Sequence, residues 1–219
     1  MAGVVFSGEQ RLDKPGRMVD PALEVEVRGA PHPWVSRGGV KLAHGLAHFG
    51  LQASGKICLD VGASTGGFTD VLLHGGATRV YAVDVGKGQL DWKLRQDPRV
   101  VVKEGLNARA LTAADVPEPI DLIVCDASFI GLEVVLPAAL GLAKPNGTLV
   151  ALIKPQFEVG PERVGKGGVV RDEALHAEVV ARIAAWLETQ GWSVLGTDPS
   201  PLLGPAGNRE FLIAARRRG

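Results

Sequence analysis

Apolar residues gather in short, nearly continuous runs: Ile57-Cys58-Leu59, Val80-Tyr81-Ala82-Val83, Val100-Val101-Val102, Leu122-Ile123-Val124-Cys125, Thr148 to Ile153, Trp192 to Thr197 and Phe211 to Ala214. Runs of this length, bounded by Gly, Asp, Asn and Pro, predict strands buried on both faces. Between them, three- and four-residue apolar spacing predicts helices over Phe68 to His74, Gln89 to Gln96, Leu132 to Ala143 and Asp172 to Thr189. Strands alternating with helices imply an α/β protein: a Rossmann-like, mostly parallel seven-stranded sheet with helices on both faces. The last two runs are too close for a crossover helix, so the final strand is expected to be antiparallel.

The front of the chain has another texture. Over residues 1–28, Val4-Val5-Phe6, Lys14 to Val19 and Leu23 to Val27 alternate apolar and polar positions between Gly and Pro turns, which predicts short antiparallel strands too small to fold alone. Residues 29–35 read as a linker from their Gly and Pro content, and residues 36–219 as the main domain. From Ser36 the spacing of Val40, Leu42, Ala43, Leu46 and Ala47 is helical, placing Lys41, His44 and His48 along one stripe. The two histidines invite a metal reading, but no glutamate lies between them and no third ligand is evident, so a solvated or RNA-facing stripe and no metal are expected.

With 24 Lys and Arg against 24 Asp and Glu, the 219-residue chain carries no net charge, so any polyanion must be met by a local patch. Cys58 and Cys125 sit inside apolar runs, as buried residues of a cytoplasmic protein do, and their number and spacing give neither a disulfide framework nor a metal motif. No apolar stretch approaches a membrane span.

Candidate chemistry starts after the first run. Asp60-Val61-Gly62-Ala63-Ser64-Thr65-Gly66-Gly67-Phe68 is a strand end, a glycine loop and a helix start, the place where such a sheet lets a cofactor approach the backbone. The spacing Gly62-x-x-x-Gly66-Gly67 departs from the dinucleotide fingerprint, and Asp60 would repel a pyrophosphate. An acid there suits S-adenosylmethionine, which presents a sulfonium and an ammonium. Asp84, followed by Val85, closes the next run about twenty residues past the glycines, where a carboxylate can bind ribose hydroxyls of either NAD or S-adenosylmethionine.

Gly62 to Gly67, Asp84, Asn107, Asp126 and Lys154 all follow strands and are expected on one sheet edge. Asp126 alone could be a helix cap. Together with Lys154 it is either a structural ion pair or a reactive one. Adding Glu210 and Lys41 makes a cluster of two lysines and two acids suited to methyl transfer onto a ribose hydroxyl: Lys154 meets the attacking oxygen, Asp126 and Glu210 orient it, and Lys41 holds the substrate oxygen or phosphate.

Six segments carry a wider resemblance: Ser36-Arg37-Gly38-Gly39-Val40-Lys41-Leu42, Asp60 to Phe68, Asp126-Ala127-Ser128-Phe129-Ile130, Lys154-Pro155-Gln156-Phe157-Glu158, Gly165 to Asp172 and Gly207-Asn208-Arg209-Glu210. In this order they resemble the TlyA family of FtsJ-like ribosomal-RNA 2′-O-methyltransferases, often labelled hemolysins. The resemblance implies that Lys41, Asp126, Lys154 and Glu210 are the catalytic tetrad, and that Asp60, Asp84 and Asn107 line the S-adenosylmethionine pocket together with Gly62, Ala63, Ser64, Thr65, Gly66, Gly67, Phe68, Val85 and Asp126. It also implies a ribosomal RNA or ribosomal-subunit partner, with cytidine riboses as targets and Ser36, Arg37, Lys41, Lys166 and Arg171 on the RNA side. Members begin with a ribosomal-protein-S-four-like RNA-binding domain. Residues 1–28 match only its closing strands, which leads to an expectation of weak, salt-sensitive RNA binding. Arg17, Arg28, Arg37, Lys166 and Arg171 remain for backbone contact, each equally readable as a solvated charge, while Trp34 could stack on a base or pack the linker down. A monomer or a weak dimer is compatible with the sequence.

Three other readings stand beside this one. An NAD-dependent oxidoreductase shares the sheet and Asp84; a membrane-active hemolysin would need an amphipathic or apolar surface. A catalytically silent RNA-binding protein would keep the tetrad without a docked substrate.

Overall fold

Among the described residues of the computed structural model, 5–12, 18–27 and 32–219, ten strands fall into two sheets. Arg17, Arg28 and residues 29–31 lie outside them. The first sheet is small and antiparallel, with β1 (Val5–Ser7) between β2 (Gln10–Arg11) and β3 (Glu26–Val27). The second has seven strands: β4 (Ile57–Val61), β5 (Arg79–Asp84), β6 (Val100–Glu104), β7 (Ile120–Cys125), β8 (Ala143–Ile153), β9 (Trp192–Pro199) and β10 (Phe211–Arg217), in the order β6-β5-β4-β7-β8-β10-β9. Strand β10 runs antiparallel to both β8 and β9, while β4 to β8 pair in parallel. The order turns back between β4 and β7, which creates the crevice where such sheets bind ligands.

Alternation along the buried strands divides the core in two. Leu59, Val61, Ile123, Cys125, Leu149 and Ile153 face one layer, built by α4 (Leu132–Val135), α5 (Pro137–Gly141) and α7 (Glu173–Thr189). Cys58, Leu122, Val124, Val150, Leu152 and Leu212 face the other, beneath α1 (Arg37–His48) and α2 (Gly67–His74). Each strand therefore sheds apolar area on both sides, at roughly 25 cal/mol per Å² of apolar surface. Cys58 and Cys125 are free and buried, and burial pushes both thiols up to about 12. No helix among the described residues is long and apolar enough to cross a membrane.

Four local differences from the sequence reading have physical causes. The helix expected over Leu132 to Ala143 breaks into α4 and α5 at Pro137, which has no N–H to give to the preceding turn. Strand β8 starts at Ala143, well before Thr148, because Ala143 already pairs with Ile120 of β7; the register then shifts across a stretch in which Asn146 takes a left-handed φ of 63°. The helix expected over Gln89 to Gln96 contracts to α3 (Trp92–Arg95), capped by Asp91, since the backbone N–H groups of Gly88, Gln89 and Leu90 go to Glu104 instead. Finally, Trp34 and Val35, at the end of the stretch read as linker, are packed down on α2: Val35 N donates to Asp70 Oδ2 at 2.9 Å and Trp34 meets His74 edge-on at 5.2 Å.

Candidate active site

The carboxyl ends of β4, β5, β7 and β8 carry most of the predicted site residues; Asn107 follows β6, Ser36, Arg37 and Lys41 come with α1, Glu210 immediately precedes β10, and Lys166 and Arg171 lie in the segment before α7. Gly66 sits at φ 96°, a left-handed conformation that L side chains adopt at a cost, just ahead of α2. At Gly67 a Cβ would collide with Ser36 Oγ and stand 2.8 Å from Gly39 N. The absence of a side chain there lets the start of α1 rest on the glycine loop. That contact delivers Lys41 to the sheet edge, where Lys41 Nζ meets Glu210 Oε2 at 2.5 Å, both side chains almost fully buried.

Lys154 forms the second pair. Its Nζ lies 2.6 Å from Asp126 Oδ1 and donates to Ser128 Oγ at 2.9 Å and to the Asp126 carbonyl at 3.4 Å. Lys154 also precedes Pro155 in the single turn α6 (Pro155–Glu158). By continuation of the Phe211↔Ile153 register, Glu210 stands across from Lys154 on the neighbouring strand. The tetrad is thus two ion pairs on adjacent strand ends. Glu210 is bonded to Lys41, which corrects the expectation that Asp126 and Glu210 jointly orient Lys154.

Asp60 ends up fully buried. Its Oδ2 accepts from Thr69 Oγ1 at 2.7 Å while Oδ1 has no partner. Desolvation, reinforced by the nearby charges of Asp126 and Asp84, raises its carboxyl to about 7 against the hydrogen bond from Thr69. Asp84 is locked by the backbone, Oδ2 taking Ser64 N (2.8 Å) and Oδ1 taking Gly86 N (2.7 Å), yet each oxygen keeps a lone pair for a hydroxyl. Ser64 adopts a left-handed φ of 47° beside it. Thr65, Val85 and Asn107 are exposed, and Asn107 Oδ1 caps the following turn through Arg109 N at 3.1 Å. Phe68 departs from the expectation: at 3% exposure it packs in the core under α1, as does Ala63 at 6%.

Of the residues assigned to RNA, Ser36 and Lys41 are drawn into the packing just described. Arg37 is exposed and donates to the Leu203 carbonyl at 2.9 Å, tying α1 to the β9–β10 connection. Lys166 and Arg171 stand exposed on the loop between α6 and α7.

The family model of the FtsJ-like methyltransferases matches residues 34–217. The chain belongs to the FtsJ-like methyltransferase family. It is 47% identical over 221 residues to the Mycobacterium tuberculosis protein named 16S/23S rRNA (cytidine-2′-O)-methyltransferase TlyA, covering 98% of this chain and 82% of that one. Hemolysin A of Brachyspira hyodysenteriae is 38% identical, with 97% and 88% covered. A solved Streptococcus thermophilus structure bearing a hemolysin name superposes with a TM-score of 0.87 at 44% identity, over 100% of this chain and 80% of that one.

In this methyltransferase the residues around the glycine loop suit a cationic nucleoside. A buried carboxyl oxygen of Asp60 lacks a partner, and Asp126 and Asp84 are both close enough to act on that carboxyl. A cation is what such a concentration of negative charge favours, and the Asp84 carboxylate matches a ribose diol.

Several structural residues of the methyltransferase escaped the sequence reading. Glu104 holds the Gly88–Leu90 backbone and Arg95 at once, and the Arg95 guanidinium with those three N–H groups brings its carboxyl down to about 2. Asn208, 2% exposed, accepts from Val170 N at 3.0 Å and donates to the Gly168 carbonyl at 2.8 Å, fastening the Lys166 loop beside Glu210. Glu158 accepts from Leu132 N at 2.8 Å and from Arg182 at 3.1 Å. The only signal for Asn208 and Glu158 in the sequence is that each shares a motif with a site residue, Asn208 with Glu210 and Glu158 with Lys154, while the groups they hold lie elsewhere in the chain.

Proposed function

We propose that the chain transfers a methyl group from S-adenosylmethionine to the ribose 2′-hydroxyl of a cytidine in ribosomal RNA, acting on the RNA or a ribosomal subunit in the cytoplasm. The observation that carries this reading is the pair of buried lysine–carboxylate contacts, Lys154 with Asp126 and Lys41 with Glu210, at the sheet edge where the glycine loop ends. The name of the Mycobacterium tuberculosis relative agrees with it.

S-adenosylmethionine, when bound, supplies an activated methyl carbon on a sulfonium. Asp84 and the loop Gly62 to Gly67 would hold its ribose and backbone-facing atoms, with Ser64, Thr65, Val85 and Asn107 around them, and the unpartnered Oδ1 of Asp60 would favour its cationic end. Lys154 meets the attacking oxygen, either as an ammonium that stabilises the growing negative charge while the hydroxyl proton passes to solvent, or as a neutral amine that takes that proton itself. Asp126 fixes the lysine by ion pairing, so little reorganisation is needed at the moment of attack. Lys41, braced by Glu210, steadies the sugar or its phosphate. Arg37, Lys166 and Arg171 are exposed and supply RNA contacts, while Ser36 seats α1 on the glycine loop.

The test is methyl incorporation from labelled S-adenosylmethionine into purified, unmodified ribosomal subunits, with the product mapped by nuclease digestion. Label in 2′-O-methylcytidine is expected. Label on a base, or none in RNA from either subunit, overturns the proposal. In parallel, S-adenosylmethionine should raise the Tm and NAD should leave it unchanged.

A further inference from the structure

The stripe of α1 that begins at Lys41 does not end in solvent. His44 and His48 lie one turn apart with their rings stacked, centroids separated by 5.9 Å at an interplanar angle of 26°. Facing both is Asp198 of β9, a residue 150 positions further along that no spacing argument connects with the helix. Its Oδ2 stands 2.6 Å from His44 Nε2 and 3.8 Å from His48 Nδ1. One ligand atom from each of the three lies within 4.8 Å of the others.

Two imidazoles at i and i+4 on one helix face are pre-aligned to share a cation, the arrangement that zinc proteins use on helices. Imidazole with carboxylate suits borderline divalent metals such as Zn²⁺, Co²⁺ and Ni²⁺, and a water completes a tetrahedron. Tetrahedral bonds of about 2.0–2.1 Å set ligand atoms roughly 3.3 Å apart, so His44 Nε2 and Asp198 Oδ2, now 2.6 Å apart, must part slightly while His48 Nδ1, 3.8 Å from that oxygen, draws in. Side-chain exposures of 38% for His44, 45% for His48 and 21% for Asp198 leave both the room for that movement and a path for entry. Phe49 braces the His48 ring edge-on at 4.9 Å. A hydrogen bond alone would explain His44 with Asp198; it would not call for a second imidazole directed at the same oxygen.

We propose that His44, His48 and Asp198 form a binding site for a zinc-type divalent cation that clamps α1 to β9. Asp198 pairs with Leu212 on β10, two residues beyond Glu210, and His44 lies one turn beyond Lys41. The cation therefore braces the helix next to the Lys41–Glu210 contact, as a structural ion rather than a reactant. The spacing of His44 and His48 offers no third ligand along the chain; the sheet supplies one in Asp198. This inference rests on the geometry of the three side chains and is independent of the methyl-transfer reading.

The experiment is Zn²⁺ titration of the untagged, metal-stripped full chain by calorimetry, with Co²⁺ absorption and Tm as second readouts. The expected result is about one equivalent bound, a tetrahedral Co²⁺ spectrum and a raised Tm. His44→Ala, His48→Ala and Asp198→Ala should each weaken binding by roughly tenfold or more. His74→Ala, which removes another exposed histidine, should bind as the wild type does, and circular dichroism verifies that each variant is folded. The proposal is overturned if the wild type takes up no more Zn²⁺ than the His44→Ala/His48→Ala double variant, or if His74→Ala loses as much as the ligand variants.

Discussion

Lys41 Nζ and Glu210 Oε2 sit 2.5 Å apart across 169 positions of sequence, with side-chain exposures of 9% and 1%. Neither charge could remain there alone. Glu210→Ala is expected to destabilise the fold by about 3–5 kcal/mol, because it strands a buried ammonium. The double variant Lys41→Met/Glu210→Leu should recover most of that loss while staying inactive in methyl transfer. Urea unfolding of the single and double variants checks the first point, and the methylation assay the second. Equal stability of Glu210→Ala and wild type would mean that the pair is open to water.

Lys154→Ala should lower kcat for methyl transfer by more than about a hundredfold, the scale of a lost acid–base or charge-stabilising group. Affinity for S-adenosylmethionine should stay within threefold or so, since the lysine faces the incoming sugar. Single-turnover kinetics and calorimetry separate the two. Retained activity would remove Lys154 from the chemical step.

Asp84→Ala should produce the converse: weaker cofactor binding by at least about tenfold, one or two hydrogen bonds to a charged acceptor, and a smaller effect on turnover at saturating cofactor. Because Asp84 also holds Ser64 N and Gly86 N, Asp84→Asn is the gentler variant, keeping one acceptor. Calorimetric titration of both gives the answer, and unchanged affinity in Asp84→Ala would take Asp84 out of the cofactor site.

Asp60 makes a prediction in pH. Its carboxyl is raised from 3.8 to about 7 in the fold. Between these values the folded chain binds the proton and the unfolded chain does not, so this group's contribution to stability is full below pH 4 and declines as pH rises towards 7. The shift caps the effect at about 4 kcal/mol. Asp60→Asn keeps an acceptor for Thr69 and abolishes the titration, so its stability should gain on the wild type as pH rises from 4 to 7. Parallel unfolding curves across that range would show that Asp60 is ionised throughout.

Asn208→Ala should cost about 1–3 kcal/mol, leaving Val170 N and the Gly168 carbonyl without their partner. If the Gly165 to Arg171 loop meets RNA, KM for the RNA should rise more than kcat falls. Limited proteolysis of the loop with and without RNA provides an independent measure.

Order along the chain was enough to fix the alternation of strands and helices, the antiparallel last strand and the glycine loop, because buried strands must be apolar on both faces and a positive φ selects glycine. It also named Lys41, Asp126, Lys154 and Glu210. Pairing between them was another matter. Nothing in the spacing tells whether Glu210 serves Lys154 across the strand or Lys41 across the layer; the seating of α1 on Gly67 decides it. The burial of Phe68 and the arrival of Asp198 opposite His44 and His48 are likewise set by packing, whereas the break at Pro137 is local, a proline that has no N–H to give. Local periodicity records which face a residue takes, whereas the partner it meets is set by how helices and strands far apart in sequence are packed together.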